Sequence, residues 1–477
     1  MLCAVALAAL ANGCAPAESQ PSIVIVVIDT LRPDHLGLYG YEERPTSPYL
    51  DERAASAAVF ERAYTTSSWT LPAFGSLFTG QLPTRHSAGV IISSLSEARE
   101  TGTIGDLVSK SGTIFLRIGA SLPTLAGVLE DAGYHTGAIV NNAFLSPEFG
   151  LDRGFQTYDY YAPEPDRRAT EVTDLALAWL EAHDARDGAP FLLVVHYFDP
   201  HMPYEAPAPF LGRFAAQYAD DQYGVPLRGV HAMRDLVRYR KPGWERYLAL
   251  EAALYDEEIA YTDRELERLF AALDERGFSD DGYIFVTSDH GEEFFDHGRF
   301  EHGHSMFEVV VRVPLLVWGP GVVPGSYRLP VSLVDIMPTV LDIAGVDTDT
   351  DFEGDSIWQA LAEGPVARSE SIVRFDRPLV AERVLYGDSK LALIRWPWKL
   401  MVDIEDSAQL LFNLETDPGE LNGFDIEDLD ADGRDRLLRM LVELQAKMEE
   451  AAEYGQGEGA LLSEDTLRTL RNLGYIR

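Results

Sequence analysis

Ile23-Val24-Ile25-Val26-Val27-Ile28, running directly into Asp29-Thr30, is the stretch that sets the fold class. All six residues are β-branched and apolar, so the run lacks the alternation of a strand with one wet face. Such a run describes a strand buried on both sides, as in a parallel sheet flanked by helices. Tyr283-Ile284-Phe285-Val286-Thr287-Ser288 repeats the pattern and leads into Asp289-His290-Gly291-Glu292. Gly137 to Asn141, Phe191 to His196 and Pro314 to Trp318 are further strand candidates. Between them lie stretches with apolar residues at helical spacing: Leu122 to Ala132 stopped by Gly133, Trp244 to Arg276, and Val334 to Ala344 stopped by Gly345. The alternation predicts an α/β sandwich around a mainly parallel sheet. Chemistry in such sheets gathers beyond the carboxyl ends of the strands. Asp29, Asp289 and His290 stand at such ends and are expected to build one metal site from distant parts of the chain.

Two regions break the rhythm. Residues 91–120 are rich in Ser, Gly and Thr and read as a loop or small insertion near the site. Residues 205–243 carry aromatics, prolines and basic residues and read as a lid or substrate-side excursion. Past about residue 365 the pattern changes. Leu393 to Val402 and Leu410 to Leu414 read as a pair of β-hairpin strands, followed by an acidic linker and a helix from about Asp435 to Ala451. The expected organisation is a leader over 1–20, a catalytic α/β domain over 21–365 and a small C-terminal antiparallel subdomain over 366–477.

The 477 residues carry 39 Lys+Arg against 77 Asp+Glu, a formal net charge of −38. That field repels nucleic acid and anionic headgroups, which argues against a nucleic-acid partner. It also makes a local cation more necessary if the substrate is an anion. The two cysteines, Cys3 and Cys14, both lie in the leader, so the mature chain is expected to hold no internal disulfide. Leu2 to Leu10 is short, apolar and Ala-rich, and small residues precede Cys14. This pattern reads as a signal peptide, with Cys14 a candidate for lipidation, although the segment before the apolar run has no Lys or Arg. The expected location is therefore the periplasm or an outer-membrane anchor. Beyond the leader, no apolar run approaches the roughly 20 residues of a membrane-spanning helix.

Ser68-Trp69-Thr70-Leu71-Pro72 opens a predicted helix, since proline suits a first turn. Thr70 would then lie at the helix N-terminus, where free N–H groups and the dipole stabilise an anion. A threonine oxygen beside a divalent metal is a plausible nucleophile there, and a plain N-cap is the alternative. Asp289-His290 offers a hard carboxylate with an imidazole, a pair that suits zinc or manganese better than calcium. His297, His302 and His304 follow closely, and His201 follows the strand candidate that ends at His196. Histidines so placed could hold an anionic ester or protonate a leaving oxygen.

Several motifs together resemble the sulfatase family of the alkaline phosphatase superfamily. They are Val27-Ile28-Asp29-Thr30-Leu31-Arg32-Pro33-Asp34-His35-Leu36-Gly37, Trp69-Thr70-Leu71-Pro72 through Leu77-Phe78-Thr79-Gly80, and Leu129-Glu130-Asp131-Ala132-Gly133-Tyr134-His135-Thr136. Ser288-Asp289-His290-Gly291-Glu292, Val313-Pro314-Leu315, Val334 to Thr339 and the closing Leu473-Gly474-Tyr475 complete the match. The resemblance implies an alkaline phosphatase-like α/β sandwich with a small C-terminal sheet subdomain.

The chain departs from the usual sulfatase pattern at informative positions. Thr70 stands where those enzymes carry the Cys or Ser that becomes formylglycine, and Phe74 replaces an Arg, so no formylglycine is expected. Asp29-Thr30 and Asp289-His290 replace an Asp pair and an Asp-Asn pair, and Asn141-Asn142-Ala143 replaces the expected Lys and His. What remains is similar to the threonine-nucleophile branch of phospho-head-group transferases and phosphodiesterases. That similarity implies one divalent metal held by Asp29, Thr70, Asp289 and His290, with zinc or manganese favoured and calcium or magnesium as alternatives. It implies catalytic or substrate-gripping roles for Thr70, His201 and His302, to which His304 is added. The expected activity is hydrolysis of a sulfate or phosphate mono- or diester on a small molecule, glycan or lipid. The rivals are a head-group transferase acting on envelope glycans or lipids, and a non-catalytic binding lipoprotein.

Overall fold

The computed structural model describes residues 20–92, 113–162, 167–184, 188–218, 244–365, 377–387, 390–405, 408–424, 429–453 and 457–472. The leader with Cys3 and Cys14, most of the 91–120 insertion, the second part of the 205–243 excursion and Leu473-Gly474-Tyr475 lie outside them.

An eight-stranded sheet forms the centre. In chain order its strands are β1 (Ile23–Ile28), β2 (Ala58–Phe60), β3 (His135–Asn141), β4 (Thr157–Tyr161), β5 (Phe191–Tyr197), β6 (Tyr283–Thr287), β7 (Leu315–Trp318) and β8 (Gly325–Tyr327). Their order across the sheet is β8-β2-β7-β6-β1-β5-β3-β4. Within it β7 alone runs against its neighbours β6 and β2, and the other pairings are parallel. The antiparallel direction of β7 was not legible, because a doubly buried run looks the same in either direction.

The unbroken apolarity of β1 has the expected cause. Ile23, Ile25 and Val27 pack on one face with Phe74, Leu77 and Phe78 of helix α1 (Thr70–Thr79). Val24, Val26 and Ile28 pack on the other with α3 (Ala169–Asp184) and α4 (Trp244–Glu275), α2 being Leu125–Asp131. All six are at most 2% exposed, and each such side chain contributes roughly 1.5–3 kcal/mol by burial. Helix α5 (Ile336–Ala344) covers the α1 side and ends at Gly345 with φ 64°, the left-handed stop its sequence predicts.

The acidic residues of α4 are not all solvated. Buried Glu257 accepts backbone N–H bonds from Gly212, Phe214 and Ala215, and so pins the described part of the 205–243 excursion, an irregular segment with one short 3-10 turn at Ala215–Tyr218. The 91–120 insertion is bracketed by a hairpin pairing Gly89–Ile92 with Thr113–Leu116, so its ends are strands and not the loop its composition suggests. The C-terminal sheet is four-stranded and antiparallel: β9 (Leu379–Glu382), β10 (Lys390–Arg395), β11 (Trp398–Asp403) and β12 (Gln409–Asn413). Helix α6 (Ala431–Glu453) covers it through Leu437, Met440 and Leu444. Residues beyond α6 return to the large body. Gly459 bridges to Leu116, and Ala460 and Leu470, the latter in α7 (Glu464–Asn472), join the α1-side core.

Helix α1 is held by a histidine absent from the sequence-based candidates. His86 Nδ1 accepts from the Ala88 N–H, and Nε2 lies 3.1 Å from both Ser76 Oγ and the Pro72 carbonyl. The fit is tight: a Cβ on Gly75 would stand 2.5 Å from the His86 ring, which explains a glycine inside this helix. Burial, aided by the nearby Arg383 guanidinium, pushes His86 down from 6.5 to about 3. The unfolded chain therefore takes up a proton here that the folded chain refuses between those values, and stability is lost as pH falls from about 6.5 towards 3. Denaturant midpoints measured across that interval should drop, and His86→Gln should flatten the drop. An unchanged slope in the variant would remove His86 from the acid response.

Candidate active site

The site forms where β1, β3, β5 and β6 end on the α1 side. On each strand the α1-facing residues follow one two-residue phase: Ile23, Ile25 and Val27 on β1, Ala138 and Val140 on β3, Leu192 and Val194 on β5, and Phe285 on β6. The next residues in phase are Asp29, Asn142, His196 and, two steps beyond Phe285, Asp289. Parallel registry keeps the strand ends level, with Val27 opposite both His196 and Thr287. Asp29 is fixed further by its own backbone, whose N–H donates to the Tyr197 carbonyl. Thr30 adopts φ 56°, a strained conformation for a β-branched residue. Tyr255 on α4 holds that bend, donating to the Thr30 carbonyl at 2.8 Å and accepting from the Arg32 N–H at 2.9 Å.

Thr70 is the first residue of α1. Its N-cap is Trp69, with no side-chain cap bond, so the simple capping alternative does not describe Thr70. Its Oγ1 lies 3.3 Å from His290 Nε2 and accepts from Asn142 Nδ2 at 3.3 Å, while the same Asn142 amide donates to Asp29 Oδ2 at 2.8 Å. His290 Nε2 is in turn 3.6 Å from Asp29 Oδ1 and 3.4 Å from Asp289 Oδ2. His290 Nδ1 faces the Gly291 carbonyl at 3.0 Å, which makes it the N–H donor and turns the Nε2 lone pair toward the other three groups. The glycine after His290 is required by space: a Cβ on Gly291 would stand 2.1 Å from the Val309 carbonyl oxygen. All four expected metal ligands are thus together, and each is at most 1% exposed.

The polar chemistry of this cluster is incomplete on protein partners alone. Asp29 Oδ1, Asp289 Oδ2 and His196 Nε2 are buried without a hydrogen-bond partner. Burial acts to raise Asp29, but neighbouring His201, with His196 and His290, outweighs it and holds this carboxyl well below the usual range. Asp289 is driven the other way, by burial and by the Asp29 charge. Two buried carboxylates with orphaned oxygens and imidazoles beside them form a donor set that a divalent cation satisfies. Asp29, His196 and Asp289 offer ligand atoms within 4.8 Å of one another.

His196 was missed by sequence reasoning, where it was only the last residue of a strand candidate. The available signal was its phase, a polar residue at the last α1-facing position of an otherwise apolar β5. In the sequence Asn142 stands out only as part of Asn141-Asn142-Ala143, the string that replaces an expected Lys and His.

The other predicted histidines divide. His201 and His302 join the cluster, with ring centroids of His290 and His302 4.4 Å apart and those of His201 and His302 5.1 Å apart. Burial pushes His201 down to about 4 against the pull of Asp29. His304 differs from expectation. Its Nδ1 faces the His302 carbonyl and its Nε2 faces Glu293, both at 3.1 Å, so both nitrogens are committed to bracing Glu293 and the loop. His297 stacks on Phe307 at 3.6 Å and bonds the Gly419 carbonyl.

With this geometry in place, the comparisons with known proteins are decisive at the level of family. The model of the family described as Sulfatase matches residues 21–346. The chain belongs to the sulfatase family. It is similar to a choline-sulfatase of Rhizobium meliloti (strain 1021), 26% identical, with 84% of this chain and 82% of the relative covered. It is also similar to a multifunctional alkaline phosphatase superfamily protein of Trinickia caryophylli, 25% identical, with 85% and 91% covered. The fold matches the crystal structure of a phosphonate monoester hydrolase of Agrobacterium radiobacter with a TM-score of 0.67, 18% identity, and 90% and 96% of the two chains covered. This sulfatase-family hydrolase has no helix among its described residues long and apolar enough to cross a membrane.

Proposed function

We propose that this sulfatase-family hydrolase cleaves phosphate or sulfate esters with Thr70 as nucleophile and one divalent metal ion held by Asp29, Asp289, His290 and Thr70. The observation that carries this reading is the spacing of the ligand atoms around His290 Nε2: 3.3 Å to Thr70, 3.4 Å to Asp289 and 3.6 Å to Asp29. Separations of this size would let these side chains share one ion. His196, 3.4 Å from Asp29 Oδ2, either holds that carboxylate or joins the set. The ion supplies charge neutralisation and a more acidic threonine hydroxyl. Asn142 orients the threonine oxygen, and His201 and His302 hold the ester oxygens or return a proton to the leaving alcohol.

Chemistry favours phosphate over sulfate. A formylglycine hydrate can expel sulfate by collapsing to the aldehyde, whereas a threonine sulfate ester lacks that exit. A phosphothreonine can be attacked at phosphorus by water. The similarity to a phosphonate monoester hydrolase fold is compatible with that preference, and the similarity to a choline-sulfatase keeps sulfate esters among the candidate substrates. An exported protein, with the leader removed or lipidated at Cys14, completes the proposal.

The test is a panel of aryl phosphate, phosphodiester, phosphonate and sulfate esters, assayed after reloading the chelated protein with zinc, manganese, calcium or magnesium. Turnover of a phosphorus ester that requires one ion per chain is expected. Sulfate-only turnover would overturn the phosphate preference, and full turnover in chelator would overturn the metal site.

A further inference from the structure

One buried carboxylate at the site is not a member of the ligand cluster. Glu292 is fully buried, and its two oxygens are used separately: Oε1 lies 3.1 Å from His302 Nδ1, and Oε2 accepts from the Tyr204 hydroxyl at 3.1 Å. Burying a carboxylate is costly unless its oxygens are hydrogen-bonded, and here one oxygen is met by an imidazole and the other by a phenol. The two partners come from different loops. Tyr204 follows β5 by the segment that carries His201, and His302 follows β6 by the segment that carries His290. The backbone carbonyl of Glu292 is itself held by Arg32 Nη1 at 3.0 Å, so the carboxylate is anchored from behind.

We propose that Glu292 is a positioning residue, fixing the His302 tautomer and ring orientation and locking the His201 loop to the His290 loop through Tyr204. With Nδ1–H donated to Glu292, the nitrogen of His302 that can reach an ester oxygen is Nε2. A hydrogen bond accepted from one ring nitrogen sets which nitrogen of an imidazole faces the substrate. It rests on the reading of His302 as a residue that serves the ester.

The test compares Glu292→Ala, Glu292→Gln, Tyr204→Phe and His302→Ala on aryl phosphates whose phenol leaving groups span a range of acidity. Glu292→Ala should lower kcat roughly 10- to 100-fold, the usual cost of removing such a supporting group. The loss should grow as the leaving group becomes poorer, with KM changed little. Glu292→Gln should recover most of the activity, because its amide oxygen still accepts from Nδ1–H. On a His302→Ala background, Glu292→Ala should add little, since the two act as one unit. A loss uniform across leaving groups, or losses that multiply in the double variant, would overturn the proposal. If His302→Ala is slow and Glu292→Ala is not, only this inference falls. If His302→Ala turns over normally, the reading of the site falls with it.

Discussion

Thr70→Ala should leave a folded, metal-binding protein with essentially no turnover. Removing a nucleophile that acts in concert with its activating groups costs on the order of 10³- to 10⁶-fold in kcat. The structure makes the loss specific. Thr70 Oγ1 makes no capping bond for α1, so deleting it does not weaken the helix start. Its neighbours retain other partners: Asn142 keeps Asp29 at 2.8 Å and the Phe144 N–H at 2.9 Å, and His290 keeps the Gly291 carbonyl. Metal content should therefore stay at one ion per chain, with somewhat weaker affinity from the loss of one ligand. Thr70→Ser, which keeps the hydroxyl but frees its rotation, should retain measurable activity. Trapping the reaction by acid quench should yield a phosphorylated peptide containing residue 70 in the native chain and none in Thr70→Ala. Wild-type rates in Thr70→Ala would eliminate the threonine as nucleophile and leave a metal-activated water in its place.

How far the site was legible depended on what each residue could reveal locally. Asp29, Asp289 and His290 could be found because each follows a run of residues whose unbroken apolarity has one physical explanation, burial on both faces of a sheet. Thr70 could be found because Pro72 marks a first helical turn. His196 ends a similar apolar run, yet no break follows it, and only the two-residue phase distinguishes it from a packed strand residue. Spacing alone does not separate His302 from His304; only the family resemblance singles out His302. They flank Gly303, whose φ of 77° turns the chain between them, and the Gly303 N–H bonds the Ser68 carbonyl. That turn sends one imidazole to the cluster and the other to Glu293, and no spacing rule in the sequence contains it. The C-terminal return was equally hidden. Leu470 lies past the last helix expected from the sequence, and it joins the α1-side core after a return marked by the bridge between Gly459 and Leu116, residues far apart along the chain.

Asp289→Asn should weaken the metal by more than the roughly 10- to 100-fold expected for a supporting group, and adding the ion should invert the melting order of variant and native chain. In the native chain Asp289 Oδ1 accepts from the Thr30 and His290 N–H groups, while Oδ2 is buried without a partner beside the Asp29 charge. The substitution keeps an oxygen for the two N–H donors and places an NH2 group where the orphaned oxygen stood, next to Asp29. A neutral amide replaces a carboxyl whose charged form is disfavoured by burial and by Asp29, and relieving that penalty does not destabilise the metal-free chain. In chelator, the variant should melt as high as the native chain or up to about 3 °C higher. With an ion at about 100 times its Kd, the native chain gains about 2.7 kcal/mol and the variant gains almost nothing. The melting order therefore inverts on adding metal. If Asp289→Asn were equally destabilised with and without the ion, Asp289 would be a brace for the β6 turn and not a ligand. The inversion distinguishes these cases because a structural carboxylate has no reason to prefer neutrality only when the cation is gone.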